Sequence, residues 1–302
     1  GLIFLFCIPE QTVFSGASPY PNVVRLNNAM PVLDESGAMF PSLIKVPDWI
    51  PPEKRAHPEA VYYLYWATHY GWYIRLSWSR TLEGPYTEFN SPANRSFTHP
   101  RFGVLSLPDK NEAIRFDNGI FIHAHLSSPE VMLDHENQKV IMFFHGPCNH
   151  GQKSFVATSP YGLNFNPVHY GGLEGYGVVP QILCSQYMRP FTYGQERYAV
   201  AMHGVLCKAP HPGPPYEIPP GSDPKATLWA IGGIPVSGTS PRHAAARVRD
   251  GRYLDYFFSR RIENERIEMV TIDMEAGDWR SWSEMGPSVT LIDNSAPWEN
   301  ND

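Results

Sequence analysis

The alternation of hydrophobic and polar positions predicts a chain built almost entirely of β-strands. Within residues 73–79, polar or amphipathic side chains alternate with apolar ones, and a period of two marks a strand. Comparable apolar runs occupy residues 62–67, 139–144, 197–202 and 252–259. Segments rich in Gly, Pro, Asn and Asp separate these runs, as turns do between short strands. No helical period is sustained over a similar length.

Four stretches of the chain share this pattern and are predicted to be one repeated unit: residues 62–89, 127–165, 188–231 and 242–282. In three of them an apolar run ends at a histidine, His69, His145 or His203, and in the fourth at Ser259-Arg260. A repeated β-unit of about 40–60 residues is typical of a propeller blade. Because repeats place equivalent positions around a common axis, the three histidines are expected to converge at a central, funnel-shaped site.

We expect the 302 residues to form a single all-β domain, a five-bladed β-propeller. Blade repeats are assigned to residues 40–285. Residues 1–39 form an N-terminal extension or a closing strand, and residues 286–302 a partial last blade. Residues 289–292 and parts of 1–39 would complete the fifth blade. A Pro-rich insertion from Pro210 to Pro224 excludes regular structure and predicts a surface loop over the pocket mouth.

Composition narrows the possible partners. A hydrophobic fraction of 42% and a charged fraction of 18% are typical of a globular protein. The net charge of −6 argues against a nucleic-acid partner, and no apolar run is long enough to span a membrane. Aromatic residues make up 13% of the chain, which suits sheet packing and also stacking on the C–H faces of sugars. The oligomeric state is left open.

The four cysteines have no spacing typical of metal ligands. They could form two disulfides or none. They are Cys7, Cys148, Cys184 and Cys207.

The chain resembles the five-bladed β-propeller glycoside hydrolases, the superfamily of families 43, 32, 62 and 117, and within it family 43-like proteins of unassigned specificity. The resemblance covers about residues 40 to 285. It implies a glycoside hydrolase acting on a poly- or oligosaccharide, extracellular or secreted. The motifs that carry it are Phe40-Pro-Ser-Leu-Ile-Lys-Val-Pro-Asp-Trp-Ile50, Tyr62-Tyr-Leu-Tyr-Trp-Ala-Thr-His-Tyr-Gly71, Leu82-Glu-Gly-Pro85, Ser128-Pro-Glu-Val131, Met142-Phe-Phe-His-Gly146 and Ser159-Pro-Tyr-Gly-Leu-Asn-Phe165.

The resembled hydrolases carry three carboxylates on inner strands: a base Asp, an orienting Asp and an acid Glu. At the matching strand starts this chain offers Ser42, Glu130, Arg189 and Arg242-His243. Inverting hydrolysis needs two carboxyl groups on opposite sides of the scissile bond. The resemblance therefore assigns Glu130 as the acid or the orienting carboxylate, with Asp48 as the possible base.

Histidines supply the next candidates. In a strand, His123 and His125 would share a face, and an inward face would allow His125 to pair with Glu130. A carboxylate beside an imidazole raises its pKa and prepares it as an acid. His125 and His145 are thus predicted to modulate catalysis, the alternative for His125 being a solvated strand end.

Arginines and aromatic rings are candidates for substrate binding. Guanidinium groups bind carboxylates or sulfates in bidentate fashion, unless they form salt bridges between blades. Trp49, Tyr70, Trp72 and Tyr187 could stack on sugar rings. The predicted substrate-binding set is Arg189, His69, His203, Tyr187, Trp72, Arg260 and His243.

No cofactor is assigned. Three facing imidazoles from His69, His145 and His203 could also hold calcium or zinc, or serve only as hydrogen-bonding groups.

Two other functions remain open. A polysaccharide lyase would use arginine to neutralise a uronate carboxylate, while a histidine or Tyr187 takes the neighbouring proton. A non-catalytic sugar-binding propeller would explain Ser42 in the place of the base.

Overall fold

The computed structural model describes residues 39–89, 103–217, 228–233, 235–236, 241–260 and 266–292, without the side chain of Arg260. These residues form four antiparallel sheets, named A to D in chain order. The chain divides into two compact units. The first unit holds sheets A and B and also residues 213–217, and the second holds sheets C and D.

Sheet A begins the first unit and has strand order β1-β2-β3-β4, with β5 pairing β3. Its strands are β1 (Met39–Lys45), β2 (Tyr62–Ala67), β3 (Tyr73–Ser79), β4 (Thr87–Phe89) and β5 (Leu105–Ser106). A 3-10 turn covers Pro52–Lys54. The predicted strands at 62–67 and 73–79 are confirmed with the same bounds.

Sheet B has strand order β11-β10-β9-β7-β6, and β8 pairs with β9. Its strands are β6 (Ile114–Arg115), β7 (Phe121–Ile122), β8 (Ser127–Asp134), β9 (Lys139–Cys148), β10 (Gly151–Ser159) and β11 (Gly177–Val178). A 3-10 turn covers Val168–Tyr170. Strand β9 therefore extends four residues beyond the apolar run that predicted it.

The second unit contains two simple antiparallel meanders. Sheet C consists of β12 (Arg189–Tyr193), β13 (Glu196–Val200), β14 (Leu206–Lys208) and β15 (Ala230–Ile231). Sheet D consists of β16 (Pro241–Arg249), β17 (Tyr253–Arg260), β18 (Ile267–Asp273) and β19 (Val289–Ile292). Short 3-10 turns cover Met202–Gly204 and Trp279–Ser281.

Four blade-type sheets, and not the predicted five, are present in the part of the chain that the structure describes. Val289–Ile292, assigned above to a fifth blade, pairs with β18 as the outer strand of sheet D. Residues 279–281, near the end of the fourth repeat, form a 3-10 turn, so sheet D takes its outer strand from further along the chain. The other segment assigned to a fifth blade, residues 1–38, lies outside the described residues.

Each unit has its own apolar core. In the first unit the core lies between sheets A and B and includes Tyr63, Tyr65, Phe144 and Phe165, all nearly inaccessible to solvent. Burial of the phenol raises the pKa of Tyr63 to about 12. The Tyr65 hydroxyl is satisfied by donating to the Gly162 carbonyl at 3.1 Å, as a buried tyrosine requires. In the second unit, aromatic and aliphatic side chains of sheets C and D form the corresponding core.

The sequence left open two disulfides or none, and the described cysteines fit neither alternative. Cys184 and Cys207 are disulfide-bonded, whereas Cys148 is a buried free thiol. Cys148 Sγ donates to the Gly151 carbonyl at 3.1 Å in the β9–β10 hairpin, and burial raises the pKa of its thiol. Cys7 lies outside the described residues. Within the described ranges, no helix is long and apolar enough to cross a membrane.

Candidate functional site

Three inner strands begin with the same break in pairing register. Between two paired positions, the inner strand uses three residues where its neighbour uses two, which defines a β-bulge. The paired positions on either side of the bulge are Met39↔Ala67 and Ser42↔Tyr65 in β1, Ser127↔His145 and Glu130↔Phe143 in β8, and Pro241↔Arg260 and Ala244↔Phe258 in β16. Ser42, Glu130 and Ala244 are therefore structurally equivalent.

Left-handed backbone recurs at the same point. Phe40 has φ 56° and Ser128 has φ 52°, each two residues before the equivalent position. Tyr187 has φ 59° and precedes Arg189 by the same interval, which makes Arg189 the fourth equivalent residue. A non-glycine residue in this conformation costs about 1–2 kcal/mol, and such strain concentrates at functional sites. The starts of β1 and β8 in the first unit are therefore our candidate site.

The sequence carried a partial signal for these bulges, which the sequence analysis missed. Phe40-Pro41 and Ser128-Pro129 share a proline directly before Ser42 and Glu130. The other two inner strands lack that proline. In sheet D the sequence predicted Arg242-His243 at the equivalent position. The pairing register places Ala244 there instead.

Ser42 and Glu130 have different surroundings. Ser42 is buried, and its Oγ accepts a hydrogen bond from the Val131 backbone N–H at 2.8 Å, which links sheet A to sheet B. Glu130 is half-buried and lies opposite Phe143 in the β8–β9 ladder. Side chains of directly paired residues share a face, so Glu130 projects on the face of sheet B that also carries His145. The candidate site thus has one carboxylate at the equivalent positions.

The predicted equivalence of His69, His145 and His203 is wrong. In sheet B, Glu130 pairs with Phe143, and His145 follows Phe143 by two residues. In the other sheets, the residues that follow the partners of Ser42, Arg189 and Ala244 by two are Ala67, Met202 and Arg260. His69 therefore lies two residues beyond the equivalent point and His203 one residue beyond it. The apolar runs end at similar residues, but the loops after them have different lengths.

His69, His125 and His145 nevertheless belong to the first unit, and two of them are in contact. The His125 and His145 rings pack edge to face with centroids 5.5 Å apart. The pKa of His125 is lowered, first by burial and then by the neighbouring His69 and His123. Ser127, opposite His145, has a buried hydroxyl oxygen with no hydrogen-bond partner among the described residues. Ser127 was not anticipated from the sequence.

His123 and His125 do not share a strand face, contrary to the prediction. Strand β7 ends at Ile122, and the His125 N–H donates to the His123 carbonyl at 2.8 Å across Ala124, which has φ 64°. This is a tight γ-turn. The turn directs His125 toward His145 while His123 stays half-buried.

The second unit holds a separate group of candidates. Tyr187 packs edge to face on His243, with centroids 5.0 Å apart. The Arg189 side chain is buried, and its Nε donates to the Ala244 carbonyl at 2.9 Å. This bond joins β12 to β16 through a backbone carbonyl, whereas the alternative left open by the sequence was a salt bridge between blades. His203 has φ 64° in the Met202–Gly204 turn, which packs against β16. The Arg260 side chain lies outside the described residues.

Two predicted residues are not brought to the strand starts. Asp48 is exposed and follows the opposite end of β1, and the adjacent Trp49 packs on His135 in the β8–β9 turn with centroids 5.0 Å apart. Asp48 and Glu130 thus lie at opposite ends of their strands. Trp72 packs against the core of the first unit and against Tyr73.

The Pro-rich insertion also reaches the end of sheet B away from Glu130. Gln181 donates to the Pro215 carbonyl at 2.7 Å, and the Tyr216 hydroxyl donates to Asp134. Asp134 and Lys139 form the last pair of the β8–β9 ladder, and Lys139 lies 4.5 Å from the centre of the Tyr216 ring. Residues 213–217 therefore bind at the turn end of the hairpin. The sequence had predicted a loop over the pocket mouth, and these residues do not cover the strand starts.

The described residues contain no group of three or more His, Cys, Asp or Glu side chains that could hold a metal ion. The possible calcium or zinc site built from His69, His145 and His203 is therefore not supported.

Comparison with known proteins gives distant similarities. No family model matches the chain. A protein of Acanthamoeba polyphaga mimivirus described as uncharacterized protein R118 is 24% identical over 303 residues, covering 95% of this chain and 74% of that protein.

Solved structures similar to the chain are those of glycoside hydrolases. The GH43 protein BlXynB of Bacillus licheniformis has a TM-score of 0.46 at 15% identity over 86% of this chain. An α-L-arabinofuranosidase of Lactobacillus brevis has a TM-score of 0.46 at 14% identity over 85%. An endo-1,4-β-xylanase of Bacteroides thetaiotaomicron has 0.45 at 12% over 84%. The match spans 42% of the Bacillus licheniformis protein, 74% of the Lactobacillus protein and 77% of the Bacteroides protein.

Proposed function

We propose that the protein is a glycoside hydrolase that cleaves a poly- or oligosaccharide at the bulged start of β8 in the first unit, with Glu130 as the acid. The observation that carries this proposal is the position of Glu130 directly after a strained bulge. The bulge recurs in sheets A and D, while the residue that follows it differs from sheet to sheet. A bulge of this kind re-aims the side chain that follows it.

The proposal assigns supporting roles to neighbouring groups. His145 lies on the same face of sheet B, and His125 packs against it. The lowered pKa of His125 favours a neutral imidazole near pH 7, which can accept a proton or a hydrogen bond from a sugar hydroxyl. Cys184 and Cys207 in disulfide linkage support an extracellular or secreted protein, since disulfides persist in oxidising compartments.

The decisive experiment compares Glu130→Gln with Glu136→Gln. Glu136 is exposed in the turn of the same hairpin, so its variant carries the same change in charge away from the candidate site. We expect Glu130→Gln to lower the rate of reducing-end release by about 10²–10⁴-fold, the usual contribution of a general acid. Equal rates for the two variants on a substrate that the wild type cleaves would overturn the role of Glu130.

A second candidate, a non-catalytic sugar-binding protein, is favoured by Ser42. Its hydroxyl is engaged by the Val131 N–H at the position equivalent to Glu130, and Asp48 lies at the far end of β1. Hydrolysis by two carboxyl groups needs a second one near Glu130. This alternative predicts sugar binding without turnover and no loss of affinity in Glu130→Gln.

A lyase is the third candidate, and the contact of Tyr187 with His243 is the observation in its favour. Lyases create an unsaturated uronate that absorbs ultraviolet light, and hydrolases do not. Following absorbance and reducing ends together on neutral and uronate polysaccharides, with and without chelator, separates the three candidates.

A further inference from the structure

Tyr70 is the most exposed of the large apolar or aromatic side chains in the described part of the chain, with 78% of its surface accessible. An aromatic ring exposed to this extent forgoes the free energy of burial. The residues that contact Tyr70 therefore indicate what the exposed ring can bind. The ring is held from behind by His69, which stacks on it at a centroid distance of 4.4 Å and an interplanar angle of 8°. His125 approaches the Tyr70 ring edge to face at 6.1 Å.

The backbone that carries this pair is fixed. The Gly71 N–H donates to the Thr68 carbonyl at 3.2 Å, so His69 and Tyr70 are the central residues of a four-residue turn. A side chain at Gly71 would come within 2.2 Å of Thr68 Oγ1, which explains the glycine. The Leu126 N–H donates to the Gly71 carbonyl at 2.9 Å and ties the turn to the segment leading into β8.

The turn also lies beside the candidate site. It follows the end of β2, where Ala67 pairs with Met39 at the bulged start of β1. His69 packs edge to face on Phe40, the left-handed residue of that bulge, with centroids 6.1 Å apart. His125, in contact with Tyr70, is in turn in contact with His145. One continuous chain of ring contacts thus connects the exposed Tyr70 face to the face of sheet B that carries Glu130.

We propose that Tyr70, backed by His69, is a stacking platform for the C–H face of a pyranose ring of a neutral oligosaccharide. This inference rests on the proposed carbohydrate function and names a further binding residue for it. The occupant is a pyranose because a flat, exposed aromatic ring, backed by a second ring, matches the apolar face of a sugar. A neutral sugar is favoured because the groups surrounding the ring are aromatic and imidazole rings.

The test measures binding of xylotriose, cellotriose and β-1,3-galactotriose at millimolar concentration by saturation-transfer NMR and titration. The proteins are the wild type, Tyr70→Ala, Tyr70→Phe and the control Tyr176→Ala. Tyr176 is half-buried and contacts Lys139 at the turn end of the β8–β9 hairpin in sheet B. We expect Tyr70→Ala to weaken binding of at least one trisaccharide about tenfold, or about 1.4 kcal/mol. Tyr70→Phe, which keeps the ring face, and Tyr176→Ala should bind as the wild type does.

The outcomes separate the platform from the proposed activity. If Tyr70→Ala cleaves and binds like the wild type, the platform is overturned and the hydrolase proposal stands. If the trisaccharide binds and the binding depends on Tyr70, but no cleavage occurs, the platform stands and hydrolysis is overturned. If none of the three sugars binds, the platform is overturned, and the reducing-end assay on polysaccharides decides the hydrolase proposal separately.

Discussion

Replacing Ser42 by alanine tests the link between sheets A and B at the candidate site. Ser42 is 7% exposed, and its Oγ is 2.8 Å from the Val131 backbone nitrogen in β8. The side chain of alanine fits the same space but offers no acceptor, so the Val131 N–H loses this bond. A buried donor left unpaired costs about 1–3 kcal/mol.

Two measurements check this value for Ser42→Ala. Hydrogen exchange at the Val131 amide should accelerate by about fivefold or more, since about 1.4 kcal/mol corresponds to tenfold. The midpoint of urea unfolding of the first unit should fall by about 1 M, the ratio of a loss of about 2 kcal/mol to a slope of about 2 kcal/mol per M. The control Ser281→Ala removes an exposed hydroxyl that donates to the Asp278 carbonyl at 2.7 Å, and its effect should stay below about 0.5 kcal/mol.

An unchanged exchange rate at Val131 in Ser42→Ala would refute the reasoning. It would mean that the Val131 N–H has another acceptor of equal quality, and that Ser42 is available to a ligand. Amides of the central strand β9 serve as the internal reference, because they should keep their exchange rates if the loss is local.

Two further predictions concern buried charge and pH. Arg249→Met should destabilise the protein by about 3–5 kcal/mol in urea unfolding, because it removes the bidentate partner of the fully buried Asp255 carboxylate. Arg249 Nε and Nη2 lie 2.7 and 3.1 Å from the two Asp255 oxygens. Adding Asp255→Asn should restore part of the loss, and strictly additive losses would contradict this account. The folded-state pKa of His125 lies below its ordinary value of 6.5. On acidification below about pH 6.5, the unfolded chain therefore binds a proton that the folded protein does not. The free energy of unfolding falls until the pH drops below the folded-state pKa. His125→Gln should reduce that slope in denaturation measured between pH 7.5 and pH 5, whereas the exposed His135→Gln should leave it unchanged.

The sequence predicts strands well where side chains alternate or form long apolar runs. Strands β2 and β3 have the predicted bounds, because almost every residue of both strands is buried and their ends coincide with the ends of the patterned segments. Two-residue strands such as β5, β6 and β11 were not predicted. They are held by a few backbone hydrogen bonds, and their side chains carry no pattern long enough to recognise.

The candidate site was predictable only in part, because pairing register is a property of two strands and not of one. Glu130 follows a bulge, and the proline before it is the sequence feature that accompanies this bulge. Its catalytic role stays a prediction. The three histidines were aligned by the ends of apolar runs, and the register separates them by up to two residues. A shift of one residue turns a side chain to the other face of a strand, so counting along one strand cannot establish a shared site.

The same registers indicate where the chemistry of this fold should be sought. The four equivalent positions hold a serine, a glutamate, an arginine and an alanine: Ser42, Glu130, Arg189 and Ala244. Two of them are bonded to the neighbouring inner strand in their own unit, Ser42 to Val131 and Arg189 to the Ala244 carbonyl. The left-handed residue recurs before these positions in sheets A, B and C and the register break in sheets A, B and D, whereas the side chain presented differs from sheet to sheet. Among these four residues only Glu130 carries a carboxylate, so the proposed hydrolysis depends on that position.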